Sequence, residues 1–231
     1  MKYLYCIIGK AIKKNFGLIG IYDKKVYSIP FKDVSAIVQD FSPELKQNFL
    51  RKSKEKMLNT IIEHQYVIDR VMKEFTLIPF NIGTIIRGDE EKVKEFINKR
   101  YQELKSILEK NKNKFQYGIQ IFYETKDTKS SKNKELKEGV KAYILKQKEK
   151  RKKLMAKLNY CRKNFYDQIS KFVNEIKIEK LTKDLSKNEI INLSCLVKLN
   201  KVEELKQELR KINKLPFSVK FNGPWPPYSF V

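Results

Sequence analysis

Hydrophobic and polar residues alternate along several short stretches of the chain, and this period of two predicts β-strands. The first stretch, residues 3–9, is rich in tyrosine and isoleucine. Pro79 and Gly83 interrupt the stretch 76–86, and because proline removes a backbone donor, we expect this strand at a sheet edge or a bulge. The remaining predicted strands lie at 26–29, 35–38, 115–124, 176–184, 189–199 and 215–221.

Other stretches carry apolar residues at helical spacing, which predicts helices. A second helix is expected to begin at 88–91, where acidic side chains complement the helix dipole, and its apolar stripe continues to Leu108. A third helix is predicted at 138–175, with the charged run 146–153 facing solvent, and a fourth at 201–213. The first helix, predicted at 44–75, carries a stripe of Leu45, Phe49, Met57, Ile61, Ile68, Met72 and Phe75.

The order of these elements predicts an α+β protein of two domains. A polar break at 111–114 suggests a boundary between an N-terminal α+β domain, 1–112, and a C-terminal domain, 113–231. The C-terminal half follows the order β-α-β-β-α-β, which is typical of a ferredoxin-like fold with an antiparallel sheet and two helices on one face. Residues 125–137 have few apolar groups and are expected to form a loop.

Composition narrows the range of functions. The 231 residues are 41% hydrophobic and 12% aromatic, which suffices for a folded core. The net charge is +23, from 50 basic and 27 acidic residues, and such a surplus attracts nucleic acids or anionic membranes. Only seven of the basic residues are arginines. Because arginine makes the bidentate contacts to phosphates and bases, we expect no specific nucleic-acid binding.

Candidate catalytic chemistry is scarce in this sequence. His64 is the only histidine, and it lies on the apolar stripe of the first predicted helix. We therefore expect a core histidine that hydrogen-bonds a neighbour, with a functional group as the alternative. The three cysteines, Cys6, Cys161 and Cys195, are widely spaced and are expected to be reduced thiols. No catalytic, cofactor-binding or metal-binding constellation is predicted, and the protein is not expected to be an enzyme.

Membrane insertion is not expected. The N-terminal apolar run 3–8 is shorter than the hydrophobic region of a signal peptide and reads more naturally as a strand. No apolar stretch reaches the length needed to span a bilayer. These features favour a cytoplasmic protein.

The C-terminal segment FNGPWPPYSFV, 221–231, is apolar and rich in proline, unlike a disordered tail. Proline restricts the unfolded chain, so that fixing this segment costs little entropy. We expect Trp225, Tyr228 and Phe230 to be buried against the protein, between the two domains. The alternative is an exposed aromatic peptide that docks a partner.

The ending GPWPPYSF resembles the C-terminal signature G-P-x-P-P-Y-x-F of the gas vesicle protein F/L family. LIPFNIGTII, 77–86, resembles that family's L-P-x-R-F-G-T segment, although Asn81 and Ile82 stand where the family commonly has Arg-Phe. The segments YLYCIIG, KAYILKQKEKR and INLSCLVKLNKVEEL also match in order, so the resemblance covers the whole chain. The residues that carry the family motifs are His64, Pro79, Gly83, Thr84, Gly223, Pro224, Trp225, Pro226, Pro227, Tyr228 and Phe230.

This resemblance implies two α+β domains, the second a modified ferredoxin-like fold, and no catalysis or cofactor. It also implies a cytoplasmic, gas vesicle-associated accessory protein that binds the small hydrophobic shell protein and other accessory proteins during nucleation and assembly of gas vesicles. Such a role is physically reasonable, because a shell subunit with exposed apolar surface aggregates unless a partner covers it. Two function classes stay open from the sequence, this assembly factor and a basic module that binds polyanions.

Overall fold

The computed structural model describes residues 1–42, 54–124, 140–181 and 189–231. The predicted loop 125–137 therefore lies outside the described residues, as does the part of the first predicted helix before residue 54. The described chain forms two compact units. The N-terminal unit comprises Met1–Gln116 together with Pro224–Val231, and the C-terminal unit comprises Tyr117–Gly223. The predicted domains, 1–112 and 113–231, stay a prediction.

The sheet of the N-terminal unit is built around its first strand. The strand order is β2-β3-β4-β1-β5, and β6 also pairs with β1. Strand β1 is antiparallel to β4, β5 and β6. All seven of its residues are buried, as expected for a strand that is covered on both faces. The six strands are β1 Lys2–Ile8, β2 Asn15–Gly17, β3 Val26–Phe31, β4 Val34–Asp40, β5 Leu77–Pro79 and β6 Ile85–Ile86.

Helices pack on both faces of this sheet. They are α1 Lys54–Met72, α2 Glu90–Lys99 and α3 Tyr101–Asn111. Tyr3 and Ile8 of β1 share one core cluster with α1, whereas Leu4 and Ile7 share a second cluster with α2 and α3. The alternation of side chains along β1 thus supplies two cores from one strand.

A β-bulge in β1 changes this alternation. Leu4 pairs with Val38 and Cys6 pairs with Ile37, which leaves Tyr5 as the additional residue. Because of this bulge, Tyr5 and Cys6 both belong to the cluster beneath α1. The Tyr5 hydroxyl donates to the side-chain oxygen of Gln39 and accepts a hydrogen bond of 3.0 Å from the N–H of Ile21. The Tyr5 hydroxyl therefore lies in this core together with its hydrogen-bond partners, and the bulge adds Cys6 beside it.

The second predicted helix is wrong in one respect, because it is two helices. Asp89 caps α2, and the helix ends at Arg100, whose N–H donates to the carbonyl of Ile97 at 3.1 Å. The Arg100 side chain then contacts Glu103 in the first turn of α3. The apolar pattern could not show this break. Ile97 and Leu104 are seven residues apart, so a continuous helix would place them on the same face as well.

The C-terminal unit contains the predicted order of elements. Its sheet has the strand order β10-β7-β9-β8, and β8 is antiparallel to β9. The charged run 146–153 of the long helix α4 is exposed apart from one partly buried residue, which confirms the predicted solvated segment. The elements are β7 Lys114–Tyr123, α4 Val140–Ser170, β8 Glu175–Ile178, β9 Glu189–Lys198, α5 Val202–Ile212 and β10 Phe217–Trp225. The first residues of β7 and the last of β10 belong to the N-terminal unit.

The described residues thus form a mixed α and β structure with two sheets and five α-helices. This agrees with the predicted fold class at that level. Among the described helices, none combines the length and the apolar character that a membrane span requires.

The cap of α2 gives a first test of this fold. The Asp89 carboxylate accepts hydrogen bonds from the N–H groups of Glu91 at 3.1 Å and Lys92 at 3.3 Å. We expect Asp89→Ala to lower the free energy of unfolding by about 1 kcal/mol in urea titrations, because these donors lose their acceptor. Asp89→Asn keeps a side-chain acceptor, so its free energy of unfolding should fall by less than that of Asp89→Ala. Equal losses in both variants would contradict the cap and point to the charge alone.

Candidate functional site around helix α1

Helix α1 has two sides with different surroundings. The side chains of Thr60, His64, Val67, Ile68 and Val71 are buried. Large apolar side chains elsewhere on the same helix are each about half exposed. This set, called the α1 face below, consists of Met57 (45% exposed), Leu58 (56%), Ile61 (45%), Ile62 (58%) and Tyr66 (52%).

His64 anchors the buried side of α1 through a chain of hydrogen bonds. Its Nε2 lies 3.1 Å from the carbonyl oxygen of Phe80. Since a carbonyl only accepts, Nε2 carries the proton and Nδ1 is an acceptor. The Tyr3 hydroxyl therefore donates to Nδ1 at 2.9 Å, and the Tyr3 oxygen accepts from the N–H of Gly83 at 3.0 Å. This chain connects the helix, the central strand and the segment after β5.

The electrostatics keep His64 neutral. The side chain is only 4% exposed, and this burial lowers the pKa of His64 to about 4. Burial likewise raises the pKa of Tyr3 above its ordinary value. Both imidazole nitrogens are occupied by groups of the same chain, so that none is available for a substrate proton. The expected core histidine is what the structure contains.

The motif residues between 79 and 84 surround the same hydrogen-bond chain. Pro79 pairs with Cys6 in β5, and β5 lies at the end of the strand order, which confirms the predicted sheet edge. Gly83 adopts a positive φ of 87°, a conformation that favours glycine. The Thr84 hydroxyl donates to the carbonyl of Asn81 at 2.7 Å and closes the turn. The segment therefore has a structural role in fixing α1.

Asn81 and Ile82 themselves are exposed. The side chains at the two positions where the chain departs from the family pattern therefore lie at the surface of this turn. The turn is held instead by Thr84, by the backbone of Asn81 and by the N–H of Gly83.

The C-terminal tail packs on the N-terminal unit next to His64. The Tyr228 hydroxyl donates to the side-chain oxygen of Gln65 at 2.9 Å, and Tyr228 packs against the core cluster beneath α1. The N–H of Ser229 donates to the side chain of Gln116 at 2.8 Å. Phe230 is 3% exposed. Phe230 is thus buried and Tyr228 partly buried, whereas the expected position of the tail between the two domains stays a prediction.

The prediction that Trp225 is buried is wrong, because its side chain is 46% exposed. Trp225 ends the edge strand β10, whose last residues, 222–225, are all exposed. Gly223 has a positive φ of 126° in this stretch. Pro226 and Pro227 follow and are buried. The chain thus turns inward after Trp225, and the prolines and Phe230 provide the packing.

A cleft adjoins the α1 face at Tyr66. Its volume is about 510 Å³. Of its polar residues, Asp69 already accepts a hydrogen bond of 2.7 Å from Gln65, whereas Arg70 and Lys73 are exposed. The cleft is lined by Tyr66, Asp69, Arg70, Met72, Lys73, Phe115 and Pro224, all of the N-terminal unit.

A second cleft, of about 720 Å³, is rich in lysine. Three of its lysines already have acidic partners, with Lys2 2.7 Å from Asp40, Lys14 2.5 Å from Glu74 and Lys94 2.6 Å from Glu91. Asp40 and Glu90 also line this cleft. The mixture of charges makes it a weak site for a polyanion.

The cysteines form no redox or metal site in the described part of the chain. Cys6 and Cys195 are buried free thiols, and Cys161 is partly buried. Burial raises the pKa of Cys195 to about 12 and that of Cys6 further above its ordinary value, so neither is a ready thiolate. Within the same residues, no group of three or more histidine, cysteine or acidic side chains is placed to hold a metal ion.

Comparison with known proteins agrees with the resemblance of the motifs. The family described as "Gas vesicle synthesis protein GvpL/GvpF" matches residues 1–231. This chain belongs to that family. Gas vesicle protein L1 of Halobacterium salinarum is 22% identical over 256 residues, covering 100% of this chain and 90% of that relative. Gas vesicle protein L of Haloferax mediterranei is 24% identical over 242 residues, covering 94% and 74%, respectively.

Two crystal structures of family members have a similar fold. The structure of GvpF from Anabaena sp. PCC7120 has a TM-score of 0.78 at 17% identity and covers 99% of this chain and 97% of that chain. The structure of GvpF from Microcystis aeruginosa has a TM-score of 0.72 at 20% identity and covers 99% and 98%, respectively. The fold of this GvpL/GvpF family member is therefore the fold of those proteins.

Several residues of the site were missed by sequence reasoning. Met57 and Ile61 were assigned to a buried stripe, yet both are exposed. The residues Leu58, Ile62 and Tyr66 repeat at intervals of four, which is a second apolar stripe beside the first. This spacing is the signal by which the α1 face could have been found. Nothing in the sequence pattern indicates that Tyr3 and Gln65 are the partners of His64 and Tyr228.

The buried His64 predicts a pH dependence of stability. The folded-state pKa of about 4 lies below the ordinary 6.5, so the unfolded chain binds more protons between these values. Stability is therefore complete above pH 6.5 and falls as the pH falls, by at most about 1.4 kcal/mol per pH unit. Urea titrations between pH 7 and 5 should show this slope. His64→Gln should cost about 1–2 kcal/mol at pH 7 and should remove the pH dependence that comes from His64. If the unfolding free energies of the wild type and the variant changed in parallel with pH, His64 would not be the source of the slope.

The tail predicts a contrast between its aromatic residues. Phe230→Ala should destabilise the protein by about 3–5 kcal/mol, as for a large aromatic side chain deleted from a core. Trp225→Ala should cost much less because half of that side chain is already in solvent. Thermal unfolding of the two variants measures the difference. Trp225 is the only tryptophan, so iodide should quench the intrinsic emission of the folded protein readily. Equal losses in both variants would overturn this account of the tail.

Proposed function

We propose that this protein is an accessory protein of gas vesicle formation that binds the small hydrophobic shell protein, and other accessory proteins, during nucleation and assembly. Membership of the GvpL/GvpF family supports a role in gas vesicle formation. The observation that carries the binding role is the α1 face, where five large apolar side chains are exposed within ten residues. Contiguous apolar surface of this kind is typical of protein interaction sites, whereas single exposed apolar residues are not.

The physical task explains why such a surface is useful. A shell subunit that exposes large apolar areas in water aggregates with its own kind before it reaches a growing shell. A partner that covers this area reversibly keeps the subunit available. The strongly basic chain, with a net charge of +23, also resists self-association. We expect the protein to act in the cytoplasm in association with gas vesicles.

We propose no catalysis, cofactor or metal for this function. His64 is buried and neutral with both nitrogens bonded within the chain. The thiols of Cys6 and Cys195 are buried. These features support a binding role.

The domain organisation proposed from the sequence has support as well. The strand order β10-β7-β9-β8 corresponds to 4-1-3-2 in a β-α-β-β-α-β unit, and this order supports a modified ferredoxin-like domain in the C-terminal half. The grouping of Tyr117–Gly223 as one compact unit is consistent with a second domain that begins near residue 113. We propose that the tail belongs functionally to the N-terminal unit, on which it packs.

Binding to polyanions is the less favoured function. The lysine-rich cleft contains ion pairs and acidic side chains, and only seven of the 50 basic residues are arginines. Lysine-driven binding weakens steeply with salt. We therefore expect only weak, sequence-independent association with DNA, which disappears at physiological salt.

Co-expression with the gas vesicle shell protein tests the proposed function. We expect this protein to increase the soluble fraction of the shell protein several-fold and to co-purify with it at about 150 mM salt, because apolar contacts are not screened by ions. A basic protein of similar charge and unrelated fold is the control. If the shell protein stays insoluble and unbound while DNA is held at submicromolar affinity in the same salt, polyanion binding replaces the assembly role.

A further inference from the structure

We propose that the α1 face and the cleft beside Tyr66 form one docking groove, and that its occupant is an amphipathic helix of the shell protein with acidic residues at one end. This inference rests on the proposed function, because it names the surface and the partner segment for that role.

The arrangement of the α1 face suits a helix as the partner. Met57 and Ile61 form one row of residues four apart, and Leu58, Ile62 and Tyr66 form a second row beside it. Rows of this spacing are the ridges between which another helix packs its side chains. The two rows extend over about 14 Å of helix axis, at about 1.5 Å per residue. A partner helix of two to three turns fits this length, as in other helix-in-groove complexes.

The fold itself does not require these apolar residues. The buried side of α1 supplies Thr60, His64, Val67, Ile68 and Val71 to the packing beneath it. Leu58, Ile62 and Tyr66 lie beside or opposite that side, whereas Met57 and Ile61 continue it toward the N-terminus of the helix, where they are half exposed. A helix that is apolar around most of its circumference is normally buried. Here the apolar side chains in the N-terminal half of α1 are about half exposed. A partner must therefore supply the burial that such a helix normally has.

Charge defines one end of the groove. Arg70 and Lys73 line the cleft and are exposed, and neither forms an ion pair within the described part of the chain. Asp69, the acidic residue of the cleft, accepts a hydrogen bond from Gln65. With two cations against one carboxylate, the cleft carries a net positive charge at the C-terminal end of α1. An acidic side chain of the partner, placed over this end, would complete the contact and set the direction of the docked helix.

The same charges disfavour other occupants. A second copy of this chain brings its own +23, and two such surfaces repel each other. A nucleic acid supplies negative charge but has no apolar face to cover five large side chains. Only a segment that combines apolar and acidic groups satisfies both parts of the groove.

Surface variants test the groove without touching the buried side of α1. In Leu58→Ser/Ile62→Ser, we expect at least tenfold less shell protein to co-purify, with an unchanged thermal unfolding curve. The matched control is Leu145→Ser/Tyr160→Ser in α4, where the two side chains are 56% and 74% exposed. This control should bind within about twofold of the wild type.

A charge reversal tests whether the cations of the cleft set the direction of the docked helix. Arg70→Glu should weaken co-purification several-fold, and Lys153→Glu in α4, with the same change in charge, should not. Replacing the acidic residues of the shell protein by their amides should weaken wild-type binding and remove the difference caused by Arg70→Glu.

The outcomes separate the two proposals. If the wild type does not bind the shell protein at all, the proposed function fails. If the wild type binds and the Leu58→Ser/Ile62→Ser variant binds equally well, the groove is overturned and the function stands. If that variant instead loses self-association in analytical ultracentrifugation while shell protein binding is unchanged, the α1 face pairs with a second copy and the inference is wrong.

Discussion

The structure of the N-terminal unit depends on how the hydroxyl groups of its fully buried central strand are satisfied. A buried hydroxyl without a partner costs more than the net gain of an ordinary hydrogen bond. Tyr3 meets this requirement through His64 and Gly83, and Tyr5 meets it through Gln39 and Ile21. The first of these solutions fixes the rotation of α1 about its own axis, because His64 must face β1. Once that side is fixed, the position of every other residue of the helix follows, including the five apolar residues of the α1 face.

The bulge in β1 changes the side on which the residues after the second tyrosine lie. Without the additional residue, strict alternation would direct Tyr5 and Cys6 to opposite sides of the sheet. With it, both side chains enter the core beneath α1. Leu4 and Ile7 still face α2 and α3. Alternation thus places the hydroxyl groups of Tyr3 and Tyr5 on the side of the histidine, and the bulge adds Cys6 to the same core. Tyr228 of the tail donates a hydrogen bond to Gln65, the residue after His64. Helix α1 therefore contacts both the first strand and the C-terminal tail.

Much of the fold could be predicted because its signals are local. The strands at 115–124 and 189–199, the helix at 201–213 and the exposed run 146–153 each follow from the pattern of a single segment. The features that were missed depend on contacts distant in sequence. The break at Arg100 leaves the apolar spacing unchanged, and the exposure of Trp225 depends on its place at the end of an edge strand. The burial of His64 was predicted from its stripe. Its partners were not, because a period of 3.6 residues tells which side is buried but not which polar atoms lie beneath it.

The apolar residues of the candidate site lie in a stretch that otherwise predicts an ordinary amphipathic helix. A stripe of apolar residues predicts burial, and the simplest assumption assigns all of it to the protein's own core. In α1 the apolar residues occupy more of the circumference than one sheet can cover. His64, a polar residue, lies in the centre of the buried side, whereas Leu58 and Ile62 lie outside. An apolar group left in water beside a polar group held in the core inverts the usual distribution. The hydrogen bonds of His64 stabilise the fold, whereas the exposure of Leu58 and Ile62 does not, and under the proposed function a partner supplies the apolar contact that these two side chains lack.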